Sequence, residues 1–340
     1  MKELLETVLS DDLLKEMSIA DWGVTKDPIA SSWDKFNAWV QKGLNGNLKY
    51  LEGERKDKRQ SLEKYFPEFK SAVVFQFSYA KEKFELDSFY KSDQSNGLRI
   101  ASYVLGFDGV DYHYSLKENL IRIGELLKEK DPTIEYVLSL DIQPVLERDL
   151  AYRAGLGWFG KNSMFISKSH GSFYIIGSLL LNKEIDFESR GPEVDHCGQC
   201  TRCIDACPTN AIDINSRTII SNKCISTFTI EEFKDNVLPP EGMENARGEI
   251  FGCDICQDVC PWNTRLVRVK NFDAPKERSK EYSYIIDFFL KRPILDIISE
   301  LKSLSNRKYQ KMFIATPLQR TGRVGLLKNL QFYSRKSNKS

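Results

Sequence analysis

The sequence lacks both a long apolar run and an excess of charge of either sign. No stretch approaches the roughly 20 apolar residues that a membrane-spanning helix needs. Residues 1–12 mix acidic residues into apolar positions, unlike the opening of a secretory signal peptide. The net charge is +1 over 340 residues, so the total by itself predicts no nucleic-acid partner. These absences predict a cytoplasmic protein in a reducing compartment, with no membrane partner.

A dinucleotide-binding fingerprint is missing as well. Gly155-Leu-Gly157-Trp-Phe-Gly160 has the G-x-G-x-x-G spacing, but it follows a predicted helix over residues 147–154 and not a strand. Trp158 and Phe159 stand where a pyrophosphate would need open backbone. Nicotinamide and flavin dinucleotides are therefore not expected cofactors.

Eight cysteines contrast with these absences, and seven of them lie in two compact runs. The first run is Cys197-Gly-Gln-Cys200-Thr-Arg-Cys203-Ile-Asp-Ala-Cys207-Pro208, and the second is Cys253-Asp-Ile-Cys256-Gln-Asp-Val-Cys260-Pro261. The first has the C-x2-C-x2-C-x3-C-P spacing of bacterial ferredoxins, and the second is a shortened form of it. With Cys224 between them, the thiolates suffice for two [4Fe-4S] clusters.

The ferredoxin rule also predicts which cysteines share a cluster, because the fourth cysteine of each run binds the other cluster. One predicted ligand set is Cys197, Cys200, Cys203 and Cys260. The other is Cys207, Cys224, Cys253 and Cys256. Zinc would favour two separated C-x2-C pairs, and disulfides need an oxidising compartment, so neither alternative fits the spacing as well.

The rest of the chain shows alternating strand and helix patterns up to about residue 185, typical of an α/β layer fold. Residues 71–79, 134–140 and 173–181 are apolar and of strand length, and residues 114–129 have helical periodicity. Residues 80–98 are polar and poorly patterned, which favours a loop or lid. Beyond residue 284, apolar residues recur at helical spacing.

Asp141 follows the strand predicted over residues 134–140, at the carboxyl end where open α/β sheets bind ligands. Apolar neighbours could raise the pKa of this carboxyl and make it a proton donor near neutral pH. Alternatively, Asp141 could cap the helix predicted to begin near Pro144. The residues alone leave both alternatives open.

Four stretches in the same order resemble the epoxyqueuosine reductase family. They are Leu140-Asp141-Ile-Gln-Pro144-Val-Leu-Glu147-Arg148, Ala154-Gly-Leu-Gly-Trp158-Phe-Gly160-Lys161-Asn162, Cys224-Ile-Ser226-Thr-Phe-Thr229-Ile-Glu231 and Gly252-Cys-Asp-Ile-Cys-Gln-Asp-Val-Cys-Pro-Trp-Asn263. The resemblance implies cobalamin and two [4Fe-4S] clusters as cofactors. The implied reaction deoxygenates epoxyqueuosine to queuosine at the wobble position of certain tRNAs, the last step of queuosine biosynthesis.

The resemblance also implies a multidomain α+β and α/β fold. Residues 1–188 would form an α/β cobalamin-binding domain like those of nitroreductases and reductive dehalogenases. Residues 189–270 would form a bacterial ferredoxin-like domain, and residues 271–340 a short basic helical segment that contacts tRNA.

Residue roles follow from the same resemblance. Asp141 would be the proton donor beside cobalt. The residues expected along the corrin are Arg59, Ser102, Asp141, Phe165, Ile176, Ser226 and Asp254. Arg55 is an alternative to Arg59. The histidines His113, His170 and His196 are expected to be structural or surface residues and not cobalt ligands.

Residues 291–340 hold twelve Lys or Arg against two Asp or Glu, which is typical of a polyanion-binding end; a solvated tail is the alternative. The residues that the resemblance assigns to RNA are Asn306, Arg307, Lys308, Arg320 and Arg323, and Lys328-Asn329 belongs to the same segment. We also expect an external low-potential electron donor and a monomeric enzyme. A corrinoid reductive dehalogenase and a simple electron-transfer ferredoxin are the competing functions.

Overall fold

The computed structural model describes residues 1–187, 190–269 and 277–337. The chain divides into two compact units. Unit 1 comprises Met1–Ser78 and His113–Cys200, and unit 2 comprises Tyr79–Tyr112 and Thr201–Ser340. The predicted domain boundaries at 188/189 and 270/271 lie outside the described residues and stay predictions.

The strands among the described residues are β1 (Ile19–Thr25), β2 (Ser71–Ser78), β3 (Arg99–Ile100), β4 (Tyr136–Ser139), β5 (Trp158–Phe159), β6 (Phe165–Ile166), β7 (Tyr174–Leu181), β8 (Ile212–Asp213), β9 (Thr218–Ile219) and β10 (Glu249–Phe251). The helices of the same part of the chain are α1 (Lys2–Val8), α2 (Asp11–Glu16), α3 (Trp33–Gln41), α4 (Gly53–Lys58), α5 (Ala80–Phe89), α6 (Tyr112–Lys130), α7 (Glu147–Arg153), α8 (Arg202–Asp205), α9 (Ile225–Ile230), α10 (Ile255–Asp258), α11 (Pro261–Val269), α12 (Lys280–Ile285), α13 (Ile294–Ser303), α14 (Asn306–Met312) and α15 (Gly322–Ser337). A π-helical turn over Ile286–Lys291 follows α12. No helix in the described ranges combines the length and apolar character that crossing a membrane requires.

Unit 1 is built on a four-stranded antiparallel sheet with the order β1-β2-β7-β4. The two inner strands, β2 and β7, are largely apolar and are buried over most of their length. The strands predicted at 71–79, 134–140 and 173–181 and the helix predicted at 114–129 are therefore confirmed. Because the neighbouring strands are antiparallel, the carboxyl end of β4 lies beside the beginning of its partner segment on β7.

One face of this sheet carries the core that positions the candidate site. Leu150 and Ala151 on α7 pack against Val74 on β2 and Leu180 on β7, and all four side chains are fully buried. Alternation along the strands places Ile176 and Ser178 of β7 on the same face. Ser139 of β4 pairs directly with Ser178 and belongs to that face too.

The glycine pattern after α7 has a packing role in the β5–β6 hairpin. Gly157 has a φ of +155°, and a Cβ at this position would lie 2.1 Å from the carbonyl oxygen of Ile166. Only glycine permits this close approach of the two strands. The spacing that resembles a dinucleotide fingerprint is therefore explained by strand packing.

Unit 2 combines the parallel pair β3–β10 with the cysteine segments and the C-terminal helices. Its core includes Phe289, Tyr309, Phe313 and Leu330, which are fully buried. The predicted C-terminal helices are confirmed by α12, the π-helical turn and α13.

The loop predicted over residues 80–98 is wrong, because α5 occupies Ala80–Phe89. A buried lysine conceals the helical periodicity of this segment. Lys83 is 3% exposed and its ammonium lies 2.5 Å from a carboxylate oxygen of Asp87 and 2.8 Å from one of Asp258. An inward-facing charge breaks the apolar stripe by which an amphipathic helix is recognised.

Candidate active site and cluster-binding segments

Asp141 lies at the tip of a tight turn that follows β4. The Ile142 N–H donates to the Leu140 carbonyl oxygen at 2.6 Å, which closes a three-residue turn around Asp141. Asp141 has a φ of +50°, a left-handed conformation that aspartate tolerates better than most residues. The Leu140 N–H donates to the Gln143 side chain at 2.7 Å and fixes the start of the turn. The turn therefore holds the Asp141 carboxyl at a defined position.

The alternative role of Asp141 as a helix cap is not supported. Helix α7 begins at Glu147, its N-cap is Leu146, and no side chain caps it. The Asp141 side chain is 49% exposed and lies six residues before the helix. The helix-cap alternative is therefore wrong, and the role of Asp141 as proton donor stays a prediction.

His113 is the most direct partner of this carboxyl within unit 1. Its Nε2 lies 2.7 Å from Asp141 Oδ1, at hydrogen-bond distance. The histidine stands near the start of the long helix α6 and is about one-quarter exposed. Sequence reasoning assigned His113 a structural or surface role and missed this pairing, for which the sequence separation of 28 residues offers no signal.

Glu147 places a second carboxyl behind Asp141. The Ser139 hydroxyl donates to Glu147 Oε1 at 3.2 Å, which ties the first residue of α7 to the last residue of β4. Burial, and to a lesser extent the negative charge of Asp141, raise the pKa of Glu147 to about 7, against the opposing effects of its hydrogen bonds and of the charge of Arg59. Glu147 is therefore protonated in part of the molecules at neutral pH.

Helix α4 and the residue after it bring two arginines to the same region. Arg59 is 5% exposed, and its guanidinium donates to the Arg55 carbonyl oxygen at 2.8 Å. The exposed Arg55 donates to the carbonyl oxygen of Ile142, next to Asp141. Both arginines therefore belong to the region of Asp141, with Arg55 on the turn and Arg59 in the interior.

The two remaining unit 1 positions assigned to the corrin lie on the strands. Phe165 on β6 is 4% exposed, and Ile176 on β7 is half-buried against the core that contains Phe165. Two residues along β7, the buried Ser178 hydroxyl has no hydrogen-bond partner among the described residues. Of these side chains, the half-buried Ile176 keeps an exposed apolar part that a bound organic group could cover.

Unit 2 contains all four cysteines of the second predicted ligand set. Burial raises the pKa of the Cys256 thiol, and the charges of Cys224, Cys203 and Cys207 raise it further. Burial likewise raises the pKa of Cys253, with contributions from Glu249, Cys256 and Cys224. Metal binding removes such protons outright. The Cys256 thiol is thus within electrostatic range of Cys203, from the other predicted set, as well as of Cys224 and Cys207, so the division of the cysteines into two sets stays a prediction.

Backbone donors surround two of these sulfur atoms. The Ala211 N–H donates to Cys207 Sγ at 3.3 Å. Burial raises the pKa of Cys224, whereas backbone hydrogen bonds from Thr227 and Ser226 at the start of α9 oppose that rise. Hydrogen bonds to sulfur are one of the means by which proteins tune iron–sulfur clusters. Ser226, one of the residues that the resemblance assigns to the corrin, thus lies beside Cys224.

The first predicted ligand set is divided between the units. Cys197 and Cys200 belong to unit 1, where the Cys200 N–H donates to the Cys197 carbonyl oxygen at 3.0 Å. Cys203 and Cys260 belong to unit 2. This ligand set stays a sequence prediction.

Ser102 and Asp254, both assigned to the corrin, are hydrogen-bonded to each other within unit 2. Asp254 Oδ2 accepts from the Ser102 N–H at 2.7 Å and from the Ser102 hydroxyl at 2.6 Å, and Oδ1 accepts from the Gln257 amide at 3.4 Å. Ser102 is fully buried and Asp254 is 7% exposed. Asp254 is therefore held in one position by three donors.

The residues assigned to RNA lie around α14 and the start of α15. Asn306, Arg307 and Lys308 are exposed on the first turn of α14, which Ser305 caps. Arg323 donates to the Asn306 side chain at 2.9 Å, and the guanidinium of Arg320 forms two hydrogen bonds with the Glu231 carboxylate. The structure thus brings Asn306 and Arg323 together and turns Arg320 toward a carboxylate.

Lys328 and Asn329 do not belong to this surface, and that part of the prediction is wrong. Lys328 is 7% exposed and donates to the carbonyl oxygens of Phe228 and Glu232, each at 2.7 Å. Asn329 is fully buried and donates to the carbonyl oxygens of Thr229 and Ile250. Both side chains attach α15 to α9 and β10, because buried backbone carbonyl oxygens need hydrogen-bond donors.

Comparison with known proteins matches two family models to this chain. Residues 196–263 match a 4Fe-4S double cluster binding domain. Residues 59–141 match the model described as epoxyqueuosine reductase QueG, DUF1730. The second match ends at Asp141, so it includes the tip of the turn described above.

Relatives and solved structures extend the likeness over most of the chain. An epoxyqueuosine reductase of Cyclobacterium marinum is 34% identical over 88% of this chain and 86% of its own. One from Synechocystis is 32% identical over 93% of this chain and 99% of its own. The structure of epoxyqueuosine reductase from Streptococcus thermophilus is 25% identical, covers 94% of this chain and 78% of its own, and superposes with a TM-score of 0.73.

A mixed α/β fold and a double-cluster domain define an iron–sulfur oxidoreductase. The chain belongs to the epoxyqueuosine reductase family.

Proposed function

We propose that this enzyme reduces epoxyqueuosine to queuosine at the wobble position of tRNA, with cobalamin and two [4Fe-4S] clusters as cofactors. The observation that carries the proposal is Asp141, held at the tip of a tight turn, half-exposed and paired with His113, in a chain of this family. A neighbour of the same fold, at 24% identity and a TM-score of 0.71, is an epoxyqueuosine reductase crystallised with an epoxyqueuosine-modified tRNA-Tyr stem loop.

The reaction consumes two electrons and two protons, breaks the C–O bonds of the epoxide and releases water with formation of an alkene. When bound, cobalamin supplies strongly reducing cobalt and the clusters supply single electrons. Asp141 donates a proton to the departing oxygen, which would otherwise leave as an alkoxide. General acid catalysis of this kind typically increases the rate about 10²–10⁴-fold.

The neighbours of Asp141 suit repeated proton donation. His113 Nε2 holds one carboxylate oxygen at 2.7 Å and so orients it. Glu147, whose pKa burial raises to about 7, holds a proton close to Asp141 in part of the molecules at neutral pH. Because Asp141 is half-exposed, it also exchanges protons with solvent between turnovers.

Within unit 1, Arg59, Phe165 and Ile176 would line the corrin together with Asp141. The half-buried Ile176 supports this assignment, since a bound group would cover its exposed part. Within unit 2, the assignment falls on Ser226 and on the hydrogen-bonded pair of Ser102 and Asp254. The fixed geometry of that pair suits a rigid wall for a cofactor.

The ligands of one cluster would be Cys207, Cys224, Cys253 and Cys256. The presence of all four cysteines in unit 2 supports the set. The other cluster would use Cys197, Cys200, Cys203 and Cys260, and would receive electrons first from an external low-potential donor. Four soft thiolates are the complete protein ligand set of a [4Fe-4S] cluster, and each of the two sets supplies four.

The tRNA would bind at the exposed basic turn of α14. Arg307 and Lys308 are exposed there, next to the paired side chains of Asn306 and Arg323, and Arg320 lies at the nearby start of α15. Cations that neutralise phosphates give an affinity that falls steeply with salt. The enzyme would act as a cytoplasmic monomer.

Anaerobic assays separate this function from its competitors. Cluster-loaded protein should acquire a corrin absorption band when cobalamin is added, whereas a simple ferredoxin would not. With a strong reductant it should convert epoxyqueuosine-tRNA to queuosine-tRNA, scored by nucleoside mass spectrometry after digestion. Cobalamin binding without conversion, together with reduction of an organohalide, would favour the dehalogenase and contradict the proposal.

A further inference from the structure

Lys161 is a buried lysine whose charge the proposed chemistry does not use. It lies in the turn of the β5–β6 hairpin and is 8% exposed. Its ammonium donates to the Gly198 carbonyl oxygen at 2.6 Å and to the Cys200 carbonyl oxygen at 3.0 Å. Unit 1 thus ties its hairpin directly to the loop that carries Cys197 and Cys200.

The hairpin turn holds Lys161 firmly. The Gly160 N–H donates to the Met164 carbonyl oxygen at 2.8 Å, and the Ser163 N–H donates to the Gly160 carbonyl oxygen at 3.0 Å. The Met164 N–H also donates to the Asn162 side chain at 3.2 Å. These bonds fix the backbone on both sides of the lysine. The ammonium is therefore held against the cysteine loop.

The two carbonyl oxygens satisfy donors of Lys161 but do not neutralise its charge. No carboxylate among the described residues forms an ion pair with Lys161. A buried cation without a counter-charge is costly unless an anion lies nearby. A [4Fe-4S] cluster bound by four thiolates is such an anion, since it is doubly negative when oxidised and triply negative when reduced.

We propose that Lys161 sets the reduction potential of the cluster bound through Cys197 and Cys200, by stabilising the additional negative charge of the reduced cluster. A fixed positive charge in a poorly solvated position favours the more negative state. The proposal rests on the double-cluster domain and not on the tRNA substrate, so a redox measurement tests it whatever the activity proves to be.

Lys83 is one of two further lysines that are buried among the described residues, and its surroundings show how carboxylates cancel such a charge. In unit 2, Lys83 lies 2.8 Å from Asp258, in the segment that contains Cys256 and Cys260, but Asp258 and Asp87 neutralise it. Among the described residues, the only partners of the Lys161 ammonium are carbonyl oxygens. Its positive charge therefore remains available to the cluster at its own loop.

The test compares Lys161→Met, which keeps the length of the side chain and removes its charge, with Lys161→Arg, which keeps the charge. Both variants are prepared anaerobically in the full chain and checked for iron and sulfide content. Potentiometric titration followed by electron paramagnetic resonance then gives the potentials of both clusters. At a given solution potential, we expect the reduced-to-oxidised ratio of one cluster to be about tenfold lower in the Met variant. This change corresponds to a reduction potential that is lower by about 59 mV for one electron. The other cluster and the Arg variant should match the wild type.

Unchanged potentials in Lys161→Met would overturn the proposal, as would an equal shift in both variants. If Lys161→Met does not retain its clusters, Lys161→Gln is titrated instead, because the amide keeps one hydrogen bond to the loop. A lowered potential in the Gln variant supports the proposal. Cluster loss in both neutral variants, with full retention in Lys161→Arg, would show that the charge is needed for assembly and would overturn its role in the potential.

Discussion

Asp141 in unit 1 and Asp254 in unit 2 have opposite surroundings, although both are proposed to face the corrin. Asp141 is 49% exposed, stands in a left-handed turn and is paired with a histidine. Asp254 is 7% exposed and accepts three hydrogen bonds from Ser102 and Gln257. An exposed carboxyl can exchange protons with substrate and solvent, whereas a saturated buried carboxyl is fixed. The difference suggests that unit 1 supplies the proton chemistry and unit 2 supplies a rigid frame for electron transfer.

The largest expected effect comes from removing a ligand in unit 2. Cys224→Ala should lower the iron and sulfide content to about half, because one four-cysteine cluster loses a ligand. Turnover should become undetectable, since electrons no longer reach the substrate. Iron and sulfide analysis and electron paramagnetic resonance measure the loss. Asn222→Ala, two residues away, serves as the control and should retain both clusters; a Cys224→Ala protein with its full iron content would refute the ligand assignment.

A stability change should appear next, again in unit 2. Asn329→Ala removes the donors that satisfy the buried carbonyl oxygens of Thr229 and Ile250. The Thr321 hydroxyl still donates to the Thr229 carbonyl oxygen at 3.0 Å, so the loss falls on the Ile250 carbonyl oxygen and should cost about 1–3 kcal/mol in the free energy of unfolding. Anaerobic urea unfolding of the cluster-loaded protein measures the change. Gln331→Ala on the same helix should stay within about 0.5 kcal/mol, and equal values for the two variants would argue against a rigid, fully bonded frame.

A smaller effect should distinguish unit 1 by its dependence on pH. The pKa of Glu147 is about 7 in the folded chain, against an ordinary value of 4.5. The folded state therefore binds a proton that the unfolded chain releases, and stability falls as pH rises from about 4.5 to 7. Glu147→Gln should remove this fall. The difference in free energy of unfolding between the variant and the wild type should therefore be about 1–2 kcal/mol more favourable to the variant at pH 8 than at pH 4. Thermal unfolding across pH tests this, and parallel curves for the two proteins would contradict the raised pKa.

The smallest expected effect concerns the basic turn of α14. Lys308→Ala should reduce the slope of log affinity against log salt by about 0.7–0.9, the contribution of one phosphate contact. The measurement is fluorescence anisotropy with a labelled anticodon stem loop between 50 and 200 mM salt, a range over which phosphate contacts dominate. Lys117→Ala, an exposed lysine of α6 in unit 1, is the matched control and should leave the slope unchanged. An equal slope for wild type and Lys308→Ala would remove this residue from the RNA surface.

Features set by local spacing could be predicted from the sequence. The cysteine runs predicted a double-cluster domain because their spacing is typical of bacterial ferredoxins, and the family model over residues 196–263 confirms it. The strands β2, β4 and β7 were predictable because each is a short run of branched and aromatic residues. The position of Asp141 directly after β4 was predicted as well, whereas the tight turn around it was not.

Features set by contacts between distant residues could not be predicted. Helix α5 was missed because Lys83 is buried by partners at Asp87 and Asp258. Residues 79–112 join the C-terminal unit, partly through pairing of β3 with β10, about 150 residues later. A basic residue in a basic segment gives no sign of burial, and so Lys328 was misplaced. The raised pKa of Glu147 arises only once folding has buried it.

The most direct test of the division between proton chemistry and frame is single-turnover conversion of epoxyqueuosine-tRNA by Asp141→Asn. The variant is loaded with cobalamin and both clusters, reduced anaerobically and compared with wild type at equal cofactor content. The prediction is a rate about 10²–10⁴-fold lower, with cofactor binding and unfolding midpoint unchanged. A wild-type rate in the fully loaded variant would contradict the assignment of Asp141 as the proton donor.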